Sequence, residues 1–514
     1  MIKNIKWLLM ASLVIVSCNS DDEVIVDPNS TDGTPLTAGS ADFSKYVALG
    51  DSFAAGFSDN ALFVEGQKNA YPNIIATQFA LVGGGEFAQP LMNDNIGGLM
   101  LNGNGKNGVR LIFNGSTPVP VSGTPTTEVT NHLSGSFNNF GIPGAKSFHL
   151  IAPNYGNIAG LAASPATANP YFVRFSSSSS VSVLDDALAQ NPTFFSLWIG
   201  GNDELGYATA GGDPLVNPLT PQATFDYAYN MIVSGLATNG RKGVIANLPS
   251  VTTLPHFHVI QYNQLTQANL TINGVNMISA LNAQLYGPLH NALAFLGQGD
   301  RINLLSTTGN NPMLMVDETL PNLATQLTAV LQGGGLDATT ATVLGQVFGQ
   351  ARQTKSTDLI PLSASSRIGQ LPSVAADGVA SPVPSLLGQL GITFPLPDRY
   401  VLIPSEVAEI EAATEGYNAT IEAAANTHGL ALVNAKELMN QLNTIGITAN
   451  NYTLTTTFVT GGMFSLDGIH PSPRGYALIA NEFLKAINAK YGSNFKGVNV
   501  GTYRILYPQN PDNF

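Results

Sequence analysis

The sequence predicts an α/β protein built around a mainly parallel sheet, and three observations carry the prediction. Short, fully apolar runs recur along the chain, each halted by glycine or a polar turn, as strands buried on both faces of a parallel sheet read. Segments with helical periodicity alternate with these runs. The composition can fill a large interior: of 514 residues 44% are hydrophobic, with 24 Phe and 16 Tyr, which excludes a wholly disordered chain.

Tyr46, Val47, Ala48 and Leu49 form the first run, ending at Gly50. A helix is expected over about 71–82, with Pro72 in its first turn, where a missing N–H costs nothing. Residues 83–135 are loaded with Gly, Asn, Thr and Pro and read as an irregular insertion with short strands. The second strand is 194–199, stopped by Gly200 and Gly201; helical periodicity follows at 222–237, and 243–247 is the third strand. Leu304 and its neighbours supply a further strand candidate. Residues 317–352 read as two helices split by Gly333, Gly334 and Gly335. The strongest helix signal is 405–427, followed by a strand at 430–434 and a last helix from about 474 to 488. The body is expected to be one domain, 43–514, with insertions at about 85–135 and 205–400.

Charge narrows the partners. With 21 Lys+Arg against 34 Asp+Glu, net −13, the chain lacks the basic clusters that grip phosphate backbones, so nucleic acid is not an expected ligand. At the amino end, Lys3 and Lys6 precede an apolar run over 7–16, too short to span a bilayer but suited to a signal peptide, 1–17. Ile15, Val16, Ser17 and Cys18 then resemble the lipobox of bacterial lipoproteins, in which the cysteine is acylated after cleavage. Cys18 is the only cysteine, so no disulfide can form within the chain. Residues 18–42 read as the lipidated cysteine and a flexible tether, placing an exported protein at the outer membrane or cell surface, with the periplasmic face as the other option.

Four stretches carry chemistry. Ser52, in Gly50-Asp51-Ser52-Phe53, stands where the first strand ends, and the carboxyl ends of strands in open α/β sheets are where ligands gather. Asp467-Gly468-Ile469-His470 delivers a carboxylate and an imidazole from one loop, the pair a serine hydroxyl needs to become a nucleophile. Asn202, in Gly200-Gly201-Asn202-Asp203, can aim an amide at an oxygen that turns negative. Asn139-Phe140-Gly141-Ile142-Pro143-Gly144 is a glycine-bearing loop that can bring a backbone N–H to the same oxygen. Each stretch alone also reads as a turn.

Taken in order, the four stretches resemble the signature blocks of the SGNH (GDSL) hydrolases, over about residues 45–487. The resemblance implies a three-layer α/β/α fold with a central, mainly parallel sheet of the SGNH-hydrolase or flavodoxin-like kind. It also implies a carboxylic ester hydrolase working by two-step acyl transfer. Ser52 matches the nucleophile, Asp467 the orienting acid and His470 the base. Ser52, Gly144 and Asn202 match the oxyanion hole, with Gly141 as the substitute for Gly144 in another register. Asn247-Leu248-Pro249 and Tyr71-Pro72 are softer matches, and Phe53 departs from the usual leucine.

No cofactor or metal is implied. His256 and His258 are spaced like ligands on one strand face but lack a carboxylate or cysteine pattern beside them. His132, His149, His290 and His428 are taken as ordinary histidines. The expected substrates are lipid or short-chain acyl esters, since apolar stretches in the insertions could line a cap over an acyl chain. A carbohydrate O-acetyl esterase is the alternative, and a non-catalytic binding lipoprotein on a hydrolase scaffold is the rival of another class. The intact Ser, Gly, Asn, Asp and His set argues against that rival.

Overall fold

The computed structural model describes residues 34–380, 388–510 and 513. The expected signal peptide, 1–17, and the expected lipidation site Cys18 lie outside the described residues. Strand β1 (Tyr46–Gly50) runs into the one-turn helix α1 (Ser52–Ala55), and helix α2 (Tyr71–Ala80) follows. Strand β2 (Asn139–Gly141), strand β3 (Phe194–Trp198), helix α3 (Gly201–Thr209), helix α4 (Gln222–Leu236) and strand β4 (Lys242–Ala246) complete the first half. Helices α5 (Ala324–Gly333) and α6 (Ala338–Phe348) belong to an inserted unit. The chain returns through helix α7 (Pro404–His428), strand β5 (Ala431–Val433) and helix α8 (Pro473–Tyr491).

The five strands form one parallel sheet in the order β2-β1-β3-β4-β5. In β3 the side chains alternate between faces. Phe194 meets Phe79 of α2, and Trp198 meets Tyr71 of α2 and Phe483 of α8, whereas Phe195 packs against Gly243 on the other side. A second helix pair, α4 with α7, is joined by the stacked rings of Phe225 and Tyr417, 4.1 Å apart. The sheet is thus flanked by helices, compatible with three layers. Local signals set the ends of α8: the Ser472 hydroxyl accepts the Gly475 N–H at 3.0 Å, Pro473 occupies the first turn, and Gly492 closes the helix in the left-handed conformation.

Several expectations need correction. The loop expected at 139–144 contributes β2 from its first residues, in register Ala48 with Asn139 and Gly50 with Gly141. Three residues are too few for a hydrophobic pattern. Leu304 lies in a loop and is half exposed rather than in a strand. The insertion expected from 205 starts later, because α4 and β4 belong to the sheet and its core. A separate hydrophobic cluster spans Ile260 to Ile403, joined by a buried ion network in which Arg352 bonds Asp317 at 2.5 Å and Asp358 at 2.7 and 3.0 Å. The carboxyl end of the expected tether is docked, with the Thr37 N–H on Asn494 Oδ1 at 2.7 Å and the Ser40 N–H on the Tyr491 carbonyl at 2.8 Å. Among the described residues no helix is long and apolar enough to cross a membrane.

Candidate active site

The strand order explains where a site can form. From β1 the chain moves outward to β2 on one side, then re-enters as β3 on the other and proceeds to β4 and β5, so the direction of winding reverses between β1 and β3. Adjacent strands whose connections depart in opposite directions leave a crevice at their carboxyl ends. Ser52 follows β1 and Asn202 follows β3, at the two lips of that crevice.

Ser52 is the first residue of α1, and Asp51 caps the helix by accepting the Phe53 N–H at 3.0 Å. The Ser52 N–H is in the first turn, where no intrahelical acceptor exists. From the other end of the chain comes the 465–471 loop. His470 Nε2 lies 2.8 Å from Ser52 Oγ, and His470 Nδ1 lies 2.8 Å from Asp467 Oδ2. The carboxylate can only accept, so Nδ1 carries the proton and Nε2 is left to accept the serine O–H. Asp467 is itself held on every side. Its Oδ1 accepts from the Ser465 hydroxyl at 3.1 Å, the Ile469 N–H at 2.9 Å and the His470 N–H at 2.8 Å. Its Oδ2 also accepts the Asn60 N–H at 2.9 Å. Burial opposes ionisation of Asp467, but the facing imidazole and these donors outweigh it and hold the carboxyl well below the usual range.

The segment after α1 stitches the two ends of the chain together. The Ser58 hydroxyl donates to the Pro471 carbonyl at 3.0 Å, the Asp59 N–H to Ser465 Oγ at 2.9 Å, and the Leu466 N–H to Asp59 Oδ1 at 3.0 Å. The Phe57 ring sits 4.6 Å and the Phe53 ring 5.4 Å from the His470 ring.

On the β3 side, the Asn202 amide donates to the Ala145 carbonyl at 3.0 Å, which leaves its second hydrogen for another acceptor. Its neighbour Asp203, fully buried, accepts the Ser147 N–H and hydroxyl, both at 2.8 Å. The start of α3 therefore fixes the 144–147 loop, and the Ile142 N–H ties the same loop to the Gly50 carbonyl at 3.0 Å. Gly144 has φ +80° and its N–H has no acceptor among the described residues. Gly141 cannot substitute for it. Its N–H donates to Asn139 Oδ1 at 2.9 Å, and a Cβ there would stand 2.2 Å from the Ala55 nitrogen, so it is a close-approach glycine between β2 and α1.

A small cavity opens beside Ser52 and Asn202, with a volume of about 50 Å³. Its walls are apolar, from Trp198, Leu205, Leu248, Val251, Leu254 and Ile469. Asp51, also on its wall, is pushed up to about 6 by burial, with Asp203 adding to the rise and the Phe53 N–H and His470 opposing it.

His256 and His258 sit in and just after a 3-10 turn, not on a strand face, and their side chains bond different groups. His258 Nε2 faces the Thr252 carbonyl at 2.9 Å, while His256 Nδ1 donates to the Asp467 carbonyl at 2.9 Å. His256 is buried, its N–H reaches the Gly468 carbonyl at 3.0 Å, and its Nε2 has no partner among the described residues. It backs the 465–471 loop, a role that its spacing to His258 does not suggest. His132 and His290 bond the Ser176 and Ile302 carbonyls, and burial lowers His149 to about 4, with Lys146 adding to the shift. Among the described residues the one convergent set of ligand atoms, on Glu318, Asp398 and Glu406, lies within 4.8 Å of itself and shares no residue with this site.

No family model, curated protein or solved structure matches the chain.

Proposed function

We propose that this chain is a carboxylic ester hydrolase of the SGNH type, acting through a Ser52 acyl-enzyme. The observation that carries the reading is the unbroken relay from Ser52 Oγ through His470 to Asp467, 2.8 Å at each step, assembled from residues 418 and 3 positions apart. A serine hydroxyl hydrogen-bonded to a neutral imidazole whose other nitrogen faces a buried carboxylate is equipped for nucleophilic attack.

In the first step His470 Nε2 takes the Ser52 proton as Oγ bonds to the ester carbonyl carbon. The resulting oxyanion is received by the Ser52 and Gly144 N–H groups and the free hydrogen of the Asn202 amide. Collapse breaks the bond to the alkoxy group, which takes the proton from His470 and leaves as the alcohol. Water, deprotonated by the same imidazole, then attacks the acyl-enzyme and releases the acid. Asp467 stabilises the imidazolium in each half and keeps its orientation. The strand order and the position of Ser52 and Asn202 at the winding reversal support this reading, as does the apolar cavity beside the nucleophile.

The same reading carries the lipid anchor at Cys18, which would hold the enzyme at a membrane surface. Labelling the purified protein with a fluorophosphonate and mapping the modified peptide tests the nucleophile. The label is expected on Ser52; a modified peptide lacking it refutes the assignment. Radiolabelled fatty acid incorporation that persists in Cys18→Ser would refute the anchor.

A further inference from the structure

Resting on the ester-hydrolase reading, we propose that the site is built for esters of short acyl groups, about two to four carbons, and that Trp198, Val251 and Leu254 set that limit.

The mechanism divides the crevice. The leaving alcohol must lie within reach of His470, which protonates it, so the acyl group occupies the side away from the imidazole. The cavity is lined by Ser52, Phe53, Asn202, the 248–254 stretch and Ile469, and the His470 ring is not among its walls. It is therefore placed for the acyl portion. Its volume of about 50 Å³ is well under the roughly 150 Å³ of an engineered cavity that admits benzene. An acetyl to butyryl group fits within its walls, and a longer chain must leave them through the open mouth, where they no longer hold it.

The walls are fixed. The Trp198 indole N–H donates to the Asn247 carbonyl at 3.2 Å, and the ring packs against Phe53 at 5.2 Å, Tyr71 at 5.8 Å and Phe483 at 5.9 Å, so the floor cannot retreat into the sheet. Val251 and Leu254 bracket a 3-10 turn and are only 5% and 4% exposed. Leu254 stands two residues before His256, whose backbone N–H is tied to the Gly468 carbonyl at 3.0 Å, so this wall is braced by the acid-base loop.

The test is a nitrophenyl ester series of acetate, butyrate, octanoate and palmitate on the full protein, with Leu254→Ala to enlarge the cavity and Val251→Phe to fill it. For the parent, kcat/KM is expected to fall at least tenfold from butyrate to octanoate, since a single methylene in a tight apolar pocket is worth about that much discrimination. Leu254→Ala should raise the octanoate to acetate ratio at least tenfold, and Val251→Phe should lower the butyrate to acetate ratio by a similar factor. Fluorophosphonate labelling of Ser52 in each variant verifies that the site has folded. Octanoate or palmitate turned over as fast as butyrate by a labelled parent overturns the inference and leaves the hydrolase reading standing. So does a steep preference that neither variant moves. A parent that neither labels at Ser52 nor cleaves any ester removes the reading beneath the inference, and the inference with it.

Discussion

Asp467→Asn tests the relay at its most constrained point. Five donors converge on this carboxylate, three on Oδ1 and two on Oδ2. An asparagine must place an NH₂ at one of the two positions. At Oδ1 it would oppose three donors, at Oδ2 only the Asn60 N–H and His470 Nδ1–H, so the amide turns its NH₂ toward Oδ2. His470 then relieves the clash by releasing the Nδ1 proton and taking one at Nε2, where it can no longer accept the Ser52 hydroxyl. The side chains keep their places while the tautomer inverts. A serine hydrolase with its base in the wrong tautomer loses about 10⁴ in kcat, or about 5.4 kcal/mol of barrier. The assay is steady-state hydrolysis of a short nitrophenyl ester near neutral pH, with circular dichroism to verify the fold. KM should change little, because Asp467 does not face the substrate. A loss under tenfold in a folded Asp467→Asn protein would refute the tautomer argument and with it the role assigned to the relay.

Asn202→Ala removes one proposed oxyanion donor and unties the Ala145 carbonyl, and kcat should fall about 10²–10³-fold with the fold retained, measured with the same ester. Asp51→Asn should stabilise the protein at alkaline pH. The folded-state value of Asp51, raised from 3.8 to about 6, means that ionising it costs more in the folded chain than in the unfolded one. The penalty is absent well below 3.8, grows as pH rises and is complete above about 6, when it corresponds to roughly 3 kcal/mol. Urea denaturation at about pH 4 and about pH 8 should show the advantage of Asp51→Asn growing with pH, and an advantage that shrinks with pH contradicts the assignment. His256→Ala deletes one neutral hydrogen bond behind Asp467, so kcat should drop about threefold to tenfold with KM unchanged. His256→Asn, which keeps a donor near the Asp467 carbonyl, should recover part of that loss.

Much of the frame was legible because buried parallel strands write themselves as apolar runs. The runs at 46–49 and 194–199 need no partner to be recognised, and Pro404 with Gly429 or Pro473 with Gly492 punctuate the helices. β2 was not legible, since its three residues are specified by pairing with β1 and by Asn139, whose amide donates to the Ala54 carbonyl at 2.9 Å. The insertion's start was misplaced for a related reason: α4 and β4 were legible as a helix and a strand, but only packing assigns them to the sheet and its core rather than to the inserted unit. Within the site, Ser52, Asn202, Asp467 and His470 could be named because their stretches, each a turn on its own, occur together in the order of the SGNH signature blocks they resemble. Asn60, Ser465 and His256 could not be, because two of them act through backbone or hydroxyl groups that many residues could supply. The third bonds a carbonyl 211 positions away.

The placement of His256 has a further consequence for how the molecule holds its geometry. The chain leaves the sheet after β4 and passes through the 251–258 turns before entering the inserted unit, whose cluster begins at Ile260. On that path Val251 and Leu254 form the cavity wall and His256 grips the acid-base loop through two hydrogen bonds. One short segment therefore both lines the cavity beside Ser52 and is hydrogen-bonded to the loop that carries His470. The inserted unit therefore departs from the sheet through residues that also touch the 465–471 loop, at Asp467 and Gly468. Within the inserted unit, the buried Arg352 draws Asp317 and Asp358 together. The inserted unit and the sheet thus keep distinct hydrophobic clusters, joined along the chain by a segment that is hydrogen-bonded to the 465–471 loop.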